Sequence, residues 1–342
     1  MLTVHFHKSG RTVTCEKGRH LIELCDEGQS EVRFSCRAGA CGACLIDVAH
    51  TPDGLSPMSA REKRTLERIG ANLNHHRLAC INRVMGDLDV GEVATTLSQE
   101  ARATGEKTEF EGEVAATRLL APLVREVSFT LIRPETISFL PGQYLAFTIR
   151  DHHQVRRSYS IVSIPANDRY VTICVRSVSG GMGSNFIHRI ERGDKVRFHG
   201  PYGQFTLANP ARKNLLFIAN GTGIAPIMSM LHHLRQDHTT RRIRLYFGVR
   251  HIDDIFYQEE LDRLVQTLPD FRYTICLSQP FTPWWKGYVG RVTNLLKDEI
   301  TEKMATDHEV YVCGGRSMLE DARTILSDKG FSPNDIHHEN FY

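Results

Sequence analysis

The sequence predicts a multidomain α+β and α/β protein made of three successive segments. Three observations lead there. Six of the nine cysteines lie before residue 90. Between Glu109 and Leu207 the chain reads as short alternating apolar runs broken by turn residues, the pattern of an antiparallel barrel or sandwich. From Lys213 onward, strand-like runs alternate with helical ones, which implies a parallel sheet covered by helices. The expected boundaries are 1–93 for the cysteine-rich domain, 94–108 for a linker, 109–209 for the barrel and 210–342 for the α/β domain.

Within the first segment, residues 2–7 and 11–15 alternate around Ser9-Gly10 and read as a β-hairpin. Leu21–Leu24 looks helical, and a second helix is expected over Ala60–Ile69. Ser59 and Glu62 fit a capping box at its start, and Gly70 a stop at its end. The linker is rich in Thr, Ser, Glu and Ala. Barrel strands are expected at Val124–Leu131, Tyr144–Ile149, Arg157–Val162, Tyr170–Val175 and Lys195–Phe198. The α/β strands are expected at Leu215–Ala219, Ile243–Phe247, Tyr273–Leu277 and Glu309–Cys313, with helices such as Ile227–Arg235 and Ser317–Leu326 between them.

Composition narrows the classes of function. Lys plus Arg is 42 against 40 for Asp plus Glu, so the chain lacks the basic excess of a bulk nucleic-acid binder. No apolar run approaches the roughly 20 residues that span a bilayer. Met1 to Phe6 has no basic region leading into an apolar core, so no secretion signal is expected and a cytoplasmic location is. Disulfides are rare there, and nine cysteines then invite a metal reading.

The run Cys36-Arg37-Ala38-Gly39-Ala40-Cys41-Gly42-Ala43-Cys44 has C-x4-C-x2-C spacing, with Cys80 downstream. That is the plant-type spacing for a 2Fe–2S cluster. Structural zinc sites favour paired C-x2-C units, and here a triplet is followed by a distant single cysteine. Cys36, Cys41, Cys44 and Cys80 are therefore the expected cluster ligands. Gly39 and Gly42 let the loop curl so that backbone N–H groups approach the sulfurs. Cys15 and Cys25 have no such spacing and read as small core residues. Residues 1–93, with Arg77-Leu78-Ala79-Cys80 leading to the fourth ligand, resemble the ferredoxin domain of β-grasp fold.

The barrel segment carries Pro141-Gly142-Gln143-Tyr144, Arg157-Ser158-Tyr159-Ser160 and Gly180-Gly181-Met182-Gly183-Ser184-Asn185 in that order. Each alone is weak. Together they resemble the FAD-binding β-barrel of the ferredoxin–NADP reductase superfamily. Arg157 can hold a pyrophosphate as a fixed cationic fork. Tyr159 shares its strand face and can pack on the isoalloxazine. The resemblance places the Ser160 hydroxyl at the flavin N5 edge, which implies a local twist. It places Gly180, Gly181, Met182, Gly183 and Ser184 at the pyrophosphate, where a helix start offers N–H groups. Ser158, Val175 and Arg176 complete the implied FAD set, although a solvated strand-end charge is the plain alternative for Arg176.

The strand Leu215–Ala219 runs into Asn220-Gly221-Thr222-Gly223-Ile224-Ala225-Pro226 and a helix. Strand, glycine loop, helix is a phosphate-presenting arrangement. The GxGxxP form resembles the same superfamily, and its proline suits a first helical turn. Gly221, Thr222, Gly223 and Pro226 are the expected nicotinamide-nucleotide residues of this Rossmann-like domain. Tyr311-Val312-Cys313-Gly314-Gly315 ends the last predicted strand, and ligands of α/β sheets bind at such ends. The resemblance puts Cys313 and Gly314 beside the nicotinamide, against the alternative of a buried core thiol. It also implies a C-terminal acid and aromatic near the flavin, here Glu339 and Phe341, with Tyr342 as the other candidate aromatic. Ser160, Cys313, Glu339 and Phe341 are the residues expected at the reacting centre. Leu277-Ser278-Gln279-Pro280 lacks the arginine expected for a 2′-phosphate, which favours NADH over NADPH.

Hydride carries two electrons and a 2Fe–2S centre takes one, and a flavin can convert between them. The order ferredoxin, flavin, nicotinamide resembles the reductase components of multicomponent bacterial oxygenases, such as benzoate dioxygenase reductase and the methane and phenol hydroxylase reductases. That resemblance implies a monomer that passes electrons from NADH through FAD and the cluster to a redox acceptor protein, a terminal oxygenase component. A reductase of deoxysugar synthesis is the alternative enzyme, and a non-catalytic redox sensor or binding module is the alternative from another class.

Overall fold

The computed structural model describes residues 1–27, 32, 42, 44–48, 50–93, 108–149, 155–207, 214–280 and 284–341. Cys36, Arg37, Gly39, Cys41, Tyr342 and residues 94–107 of the expected linker lie outside them. The chain divides into two units, residues 1–106 and 107–342.

The first unit begins with the expected hairpin. β1 (Leu2–Phe6) pairs antiparallel with β2 (Arg11–Cys15), and Gly10 takes the positive φ of +65° that the turn needs. After α1 (Leu21–Glu27) come β3 (Leu45–Asp47), α2 (Ala60–Arg68), β4 (His76–Leu78) and β5 (Leu88–Glu92). The sheet order is β2-β1-β5-β3-β4, with β5 parallel to β1. Period-two alternation sends Val4, Phe6, Leu88 and Val90 inward, onto Leu21, Leu24 and Leu66 of the helices. Burying a side chain of this size stabilises by about 1.5–3 kcal/mol, so these strands and helices hold one another.

Ser59 caps α2 by accepting the Glu62 N–H at 3.1 Å, as expected. The other half of the capping box is replaced. Glu62 is 1% exposed, and its carboxylate takes both Arg77 Nε and the terminal guanidinium nitrogen at 3.0 Å. It also accepts from Leu78 N at 2.8 Å and Asn82 Nδ2 at 2.7 Å, while Arg77 donates to Ser56 O at 2.7 Å. A buried charge pair is tolerated only when its remaining lone pairs and protons are satisfied, and this one satisfies them.

The second unit opens with β6 (Thr108–Ala121), β7 (Val124–Arg133), β8 (Tyr144–Ile149), β9 (Val155–Ser160) and β10 (Tyr170–Arg176). Helix α3 (Met182–Arg189) and β11 (Lys195–Tyr202) follow. The antiparallel order is β10-β7-β6-β11-β8-β9, and a bridge between Ile161 and Ile173 joins its two edges into a barrel. The strand expected over Arg157–Val162 therefore breaks at Ser160. Up to there it pairs with β8, and afterwards Val162 N donates to Thr172 O beside β10. Phe129, Phe147 and Phe198 fill the interior, with ring centroids 4.9–6.1 Å apart.

The α/β part runs β12 (Asn214–Asn220), α4 (Ile224–Gln236), β13 (Ile243–Val249), α5 (Gln258–Thr267), β14 (Phe271–Leu277) and β15 (Tyr288–Val289). It ends with α6 (Val292–Glu299), α7 (Glu302–Asp307), β16 (His308–Gly315), α8 (Arg316–Asp328) and β17 (Ile336–Phe341). All six strands are parallel, in the order β15-β14-β13-β12-β16-β17. The order reverses at β12, so its carboxyl end is the switch point where such sheets bind ligands. One apolar core runs from Val124, Val162 and Phe205 of the barrel part into Ile227, Met230 and Phe217 of the sheet part. Among the described residues, no helix is long and apolar enough to cross a membrane.

The buried carboxylate of Glu62 yields a direct expectation. Glu62→Ala leaves the Arg77 guanidinium buried without its partner and should destabilise the first unit by about 3–5 kcal/mol. The urea midpoint for loss of visible cluster absorption reads this. A shift worth under about 1 kcal/mol, the scale of an exposed pair, would show that the network is not structural.

Candidate functional site

In the first unit, Cys44 precedes β3 and Cys80 lies two residues after β4, and the pairing Leu45↔Leu78 brings both to the same end of the ladder. Ala79 N donates to Cys44 O at 3.0 Å, which ties the segments together. Both thiols are buried, at 1% and 6% exposure. Gly42 has φ +82°, a conformation that favours glycine, and a Cβ there would press on the Ile69 side chain, 2.9 Å from Cδ1. Glu62 grips Arg77 and the Leu78 N–H, three and two residues before Cys80, so the buried network positions this cysteine. Sequence reading missed that role, although Arg77 and Glu62 were both visible in quoted motifs. A thiol pair held dry on a tied β-ladder suits thiolate ligation of iron. Cys36 and Cys41 lie outside the described residues.

In the second unit, α3 packs its first turn against β9. A Cβ at Gly183 would fall 2.4 Å from Arg157 Cγ and 2.6 Å from the Tyr159 hydroxyl. Arg157, Tyr159 and the Gly180–Ser184 run are therefore one locus. Gly180 turns the chain with φ +71°. The Ser184 hydroxyl is committed within the turn, accepting from Val178 N at 3.1 Å and donating to Gly181 O at 3.2 Å. The N–H groups at the start of α3 remain without an intrahelical partner, with Met182 exposed beside them. Burial raises the Tyr159 phenol well above its ordinary range, so it stays neutral. Ser158 points outward, and Val175 is buried while Arg176 is half-buried. His188 Nε2 lies 2.9 Å from Val175 O, and Arg125, unremarked in the sequence, bonds the His188 carbonyl at the end of α3. Gly142 has φ +101° with no room for a side chain against Phe205 O, and Gln143 is buried, bonding Leu140 N and Gly203 O. Pro141-Gly142-Gln143-Tyr144 is thus a packed corner of the barrel.

At the switch point, Gly221-Thr222-Gly223 forms a 3-10 turn leading into α4, and Pro226 lies in its first turn. A Cβ at Gly223 would sit 2.2 Å from Cys313 O, and one at Gly314 would sit 2.0 Å from Asn220 Oδ1. Asn220 Oδ1 accepts from Gly315 N at 2.9 Å. The ends of β12 and β16 are thereby locked together, and the chain enters α4 directly from this turn.

β17 brings Glu339 opposite Cys313, and Ser160 Oγ donates to Glu339 Oε2 at 3.3 Å. Ser160, Cys313 and Glu339 therefore meet where the barrel abuts the sheet. Burial pushes the Glu339 carboxyl up to about 8, against the opposing pull of the Ser160 hydrogen bond. Burial, and then the Glu339 charge, raise the Cys313 thiol well above its ordinary range. Cys313 is thus a neutral thiol and Glu339 holds a proton at neutral pH. Phe341 closes β17, paired in register with Gly315.

Two expectations follow from this geometry. Gly183→Ala forces a Cβ into Arg157 and Tyr159, and purified protein should hold less than a tenth of the native flavin, read from its absorbance; full flavin content would contradict the cradle. For Glu339, the folded carboxyl titrates near 8 and the unfolded one near 4.5. Between these values the folded chain holds a proton that the unfolded chain has released, so stability is lost as pH rises through the window. Glu339→Gln does not titrate, and its stability relative to the native chain should climb from pH 4.5 and level off above 8. A pH-independent difference in urea midpoints would contradict the buried acid.

Comparisons with known proteins agree with this division. Residues 4–85 match the 2Fe-2S iron-sulfur cluster binding domain, 111–207 the oxidoreductase FAD-binding domain and 217–324 the oxidoreductase NAD-binding domain. The chain is 28% identical to the phenol hydroxylase P5 protein of Acinetobacter pittii, over 97% of this chain and 92% of that one. It is 32% identical to ferredoxin–NADP reductase B of Sorangium cellulosum, over 68% of this chain and 97% of that one. The crystal structure of a cytochrome P450 reductase from Amycolatopsis superposes with a TM-score of 0.72 at 26% identity, covering 100% of this chain and 99% of that one. Barrel, switch-point sheet and cysteine-bearing β-ladder thus carry the domains of an FAD- and NAD(P)-binding oxidoreductase with a 2Fe–2S cluster, and the chain belongs to the ferredoxin–NAD(P) reductase superfamily, in the branch with a 2Fe–2S domain ahead of the flavin domain.

Proposed function

We propose that this chain is the reductase component of a multicomponent oxygenase, drawing electrons from NADH and delivering them singly to an oxygenase protein. The carrying observation is that domains for a nicotinamide nucleotide, FAD and a 2Fe–2S cluster lie in one chain. Relatives of nearly equal length support the acceptor class. They include the terephthalate 1,2-dioxygenase reductase component of Comamonas, 28% identical over 99% of this chain and 96% of that one. FAD supplies two-electron acceptance and one-electron release when bound.

The residues divide the work. Arg157 and the N–H groups of Met182, Gly183 and Ser184 hold the FAD pyrophosphate at the turn made by Gly180 and Gly181, and Tyr159 packs against the ring. Ser158, Val175, Arg176 and Phe341 border it. Gly221, Thr222, Gly223 and Pro226 form the nucleotide turn, with Cys313 and Gly314 beside the nicotinamide. Ser160 and protonated Glu339 keep an uncharged, water-poor pocket with a proton at hand. Cys36, Cys41, Cys44 and Cys80 ligate the cluster.

NADH is favoured because the end of β14 offers no cation. Ser278 N and Gln279 N are spent on Val249 O and Arg250 O at 3.1 and 2.8 Å, and both side chains are neutral. β14 itself thus offers a 2′-phosphate no cationic fork, and Arg250 at the end of β13 does not discriminate between the two coenzymes.

Cys80→Ser should lose cluster iron and cytochrome c reduction, while NADH still reduces the flavin at a native rate. Equal loss of both steps would contradict the division of labour. In the same assay, kcat/KM for NADH should exceed that for NADPH at least tenfold, and a preference for NADPH would overturn the coenzyme assignment.

A further inference from the structure

The solvent face of the first unit's sheet carries residues that the redox function leaves unused. Alternation that buries Val4 and Phe6 turns Thr3, His5 and His7 outward along the β1 line. Parallel pairing with β5 sets His5 level with Asp89. His7 continues the ladder beyond the strand by donating its N–H to Val90 O at 3.0 Å. As a result His5, His7 and Asp89 each offer a ligand atom, all within 4.8 Å of one another.

We infer that His5, His7 and Asp89 form a surface site for one divalent transition-metal ion of the zinc class. Two imidazoles and a carboxylate suit such borderline cations, which need ligand distances of about 2.0–2.2 Å. His7 Nε2 lies 3.6 Å from Asp89 Oδ1, beyond hydrogen-bonding range, and both side chains are partly exposed, so small rotamer changes can close the triad. His5 Nδ1 is 3.1 Å from the Thr12 hydroxyl on β2. That oxygen can accept the Nδ1 proton and leave the Nε2 lone pair outward, the second-shell arrangement that orients a metal-binding histidine. The His50 ring centroid stands 6.0 Å from that of His7.

A second triad among the described residues, Asp47, His75 and His76, has similar spacing and fails on its tautomer. His76 Nδ1 accepts the Asn72 N–H at 3.0 Å. The neutral ring therefore carries its proton on Nε2, the atom that faces Asp47 at 3.9 Å. It serves as an internal control.

The test is equilibrium dialysis of the full-length holoprotein against buffered Zn2+, with zinc and iron counted by elemental mass spectrometry. The native chain and His76→Ala should bind one zinc that His7→Ala and Asp89→Asn bind at least tenfold more weakly. Iron content should be equal in all four, which separates this site from the cluster thiolates. No zinc on the native chain, or native affinity retained by His7→Ala and Asp89→Asn, would overturn the assignment.

Discussion

Backbone-to-backbone approach at the carboxyl edge of the parallel sheet is the constraint on which the second unit depends. Gly223 lies where a single extra carbon would strike the Cys313 carbonyl, and Gly314 lies against the Asn220 amide. Without side chains at these points β12 and β16 can end side by side, and the turn between β12 and α4 can aim its N–H groups outward. The same device recurs in the barrel, where Gly183 lets α3 settle onto Arg157 and Tyr159. Each glycine costs conformational entropy, and each is kept where two chain segments must nearly touch. The starts of α3 and α4 are both set by such contacts.

Burial then decides charge. Glu339 has a hydroxyl and a thiol for neighbours instead of a cation, so it keeps its proton in the folded protein. Glu62 is more deeply buried, at 1% exposure, but faces Arg77 and two N–H donors. The two glutamates thus have opposite duties. One provides an uncharged acid beside the switch point, and the other clamps the strand that delivers Cys80.

Much of this was legible in the sequence because glycine, proline and cysteine spacing record backbone needs directly. The hairpin at Gly10, the α2 cap at Ser59 and the turn before Pro226 all stand where their signals put them. Strand β6 was invisible because irregularities between Glu111 and Gly112, Val114 and Ala116, and Leu119 and Ala121 break its alternation. Strand β17 reads Ile-His-His-Glu-Asn-Phe, too polar to announce a sheet strand, yet it carries Glu339 to Cys313. Glu62 fitted a local capping box, and only the tertiary fold reveals that its carboxylate turns inward to Arg77 instead. Local patterns identified the segments, and long-range partners determined which atoms meet.

The account stands on a chain that takes electrons in pairs and releases them singly. Anaerobic titration of the holoprotein with NADH, followed in the flavin and cluster absorption bands, tests this most directly. Two electrons on FAD and one on the cluster require about 1.5 equivalents of NADH, with both bands bleached at the end point. An end point at about one equivalent with the cluster band unchanged would show that the cluster takes no electrons from NADH, and would contradict the account.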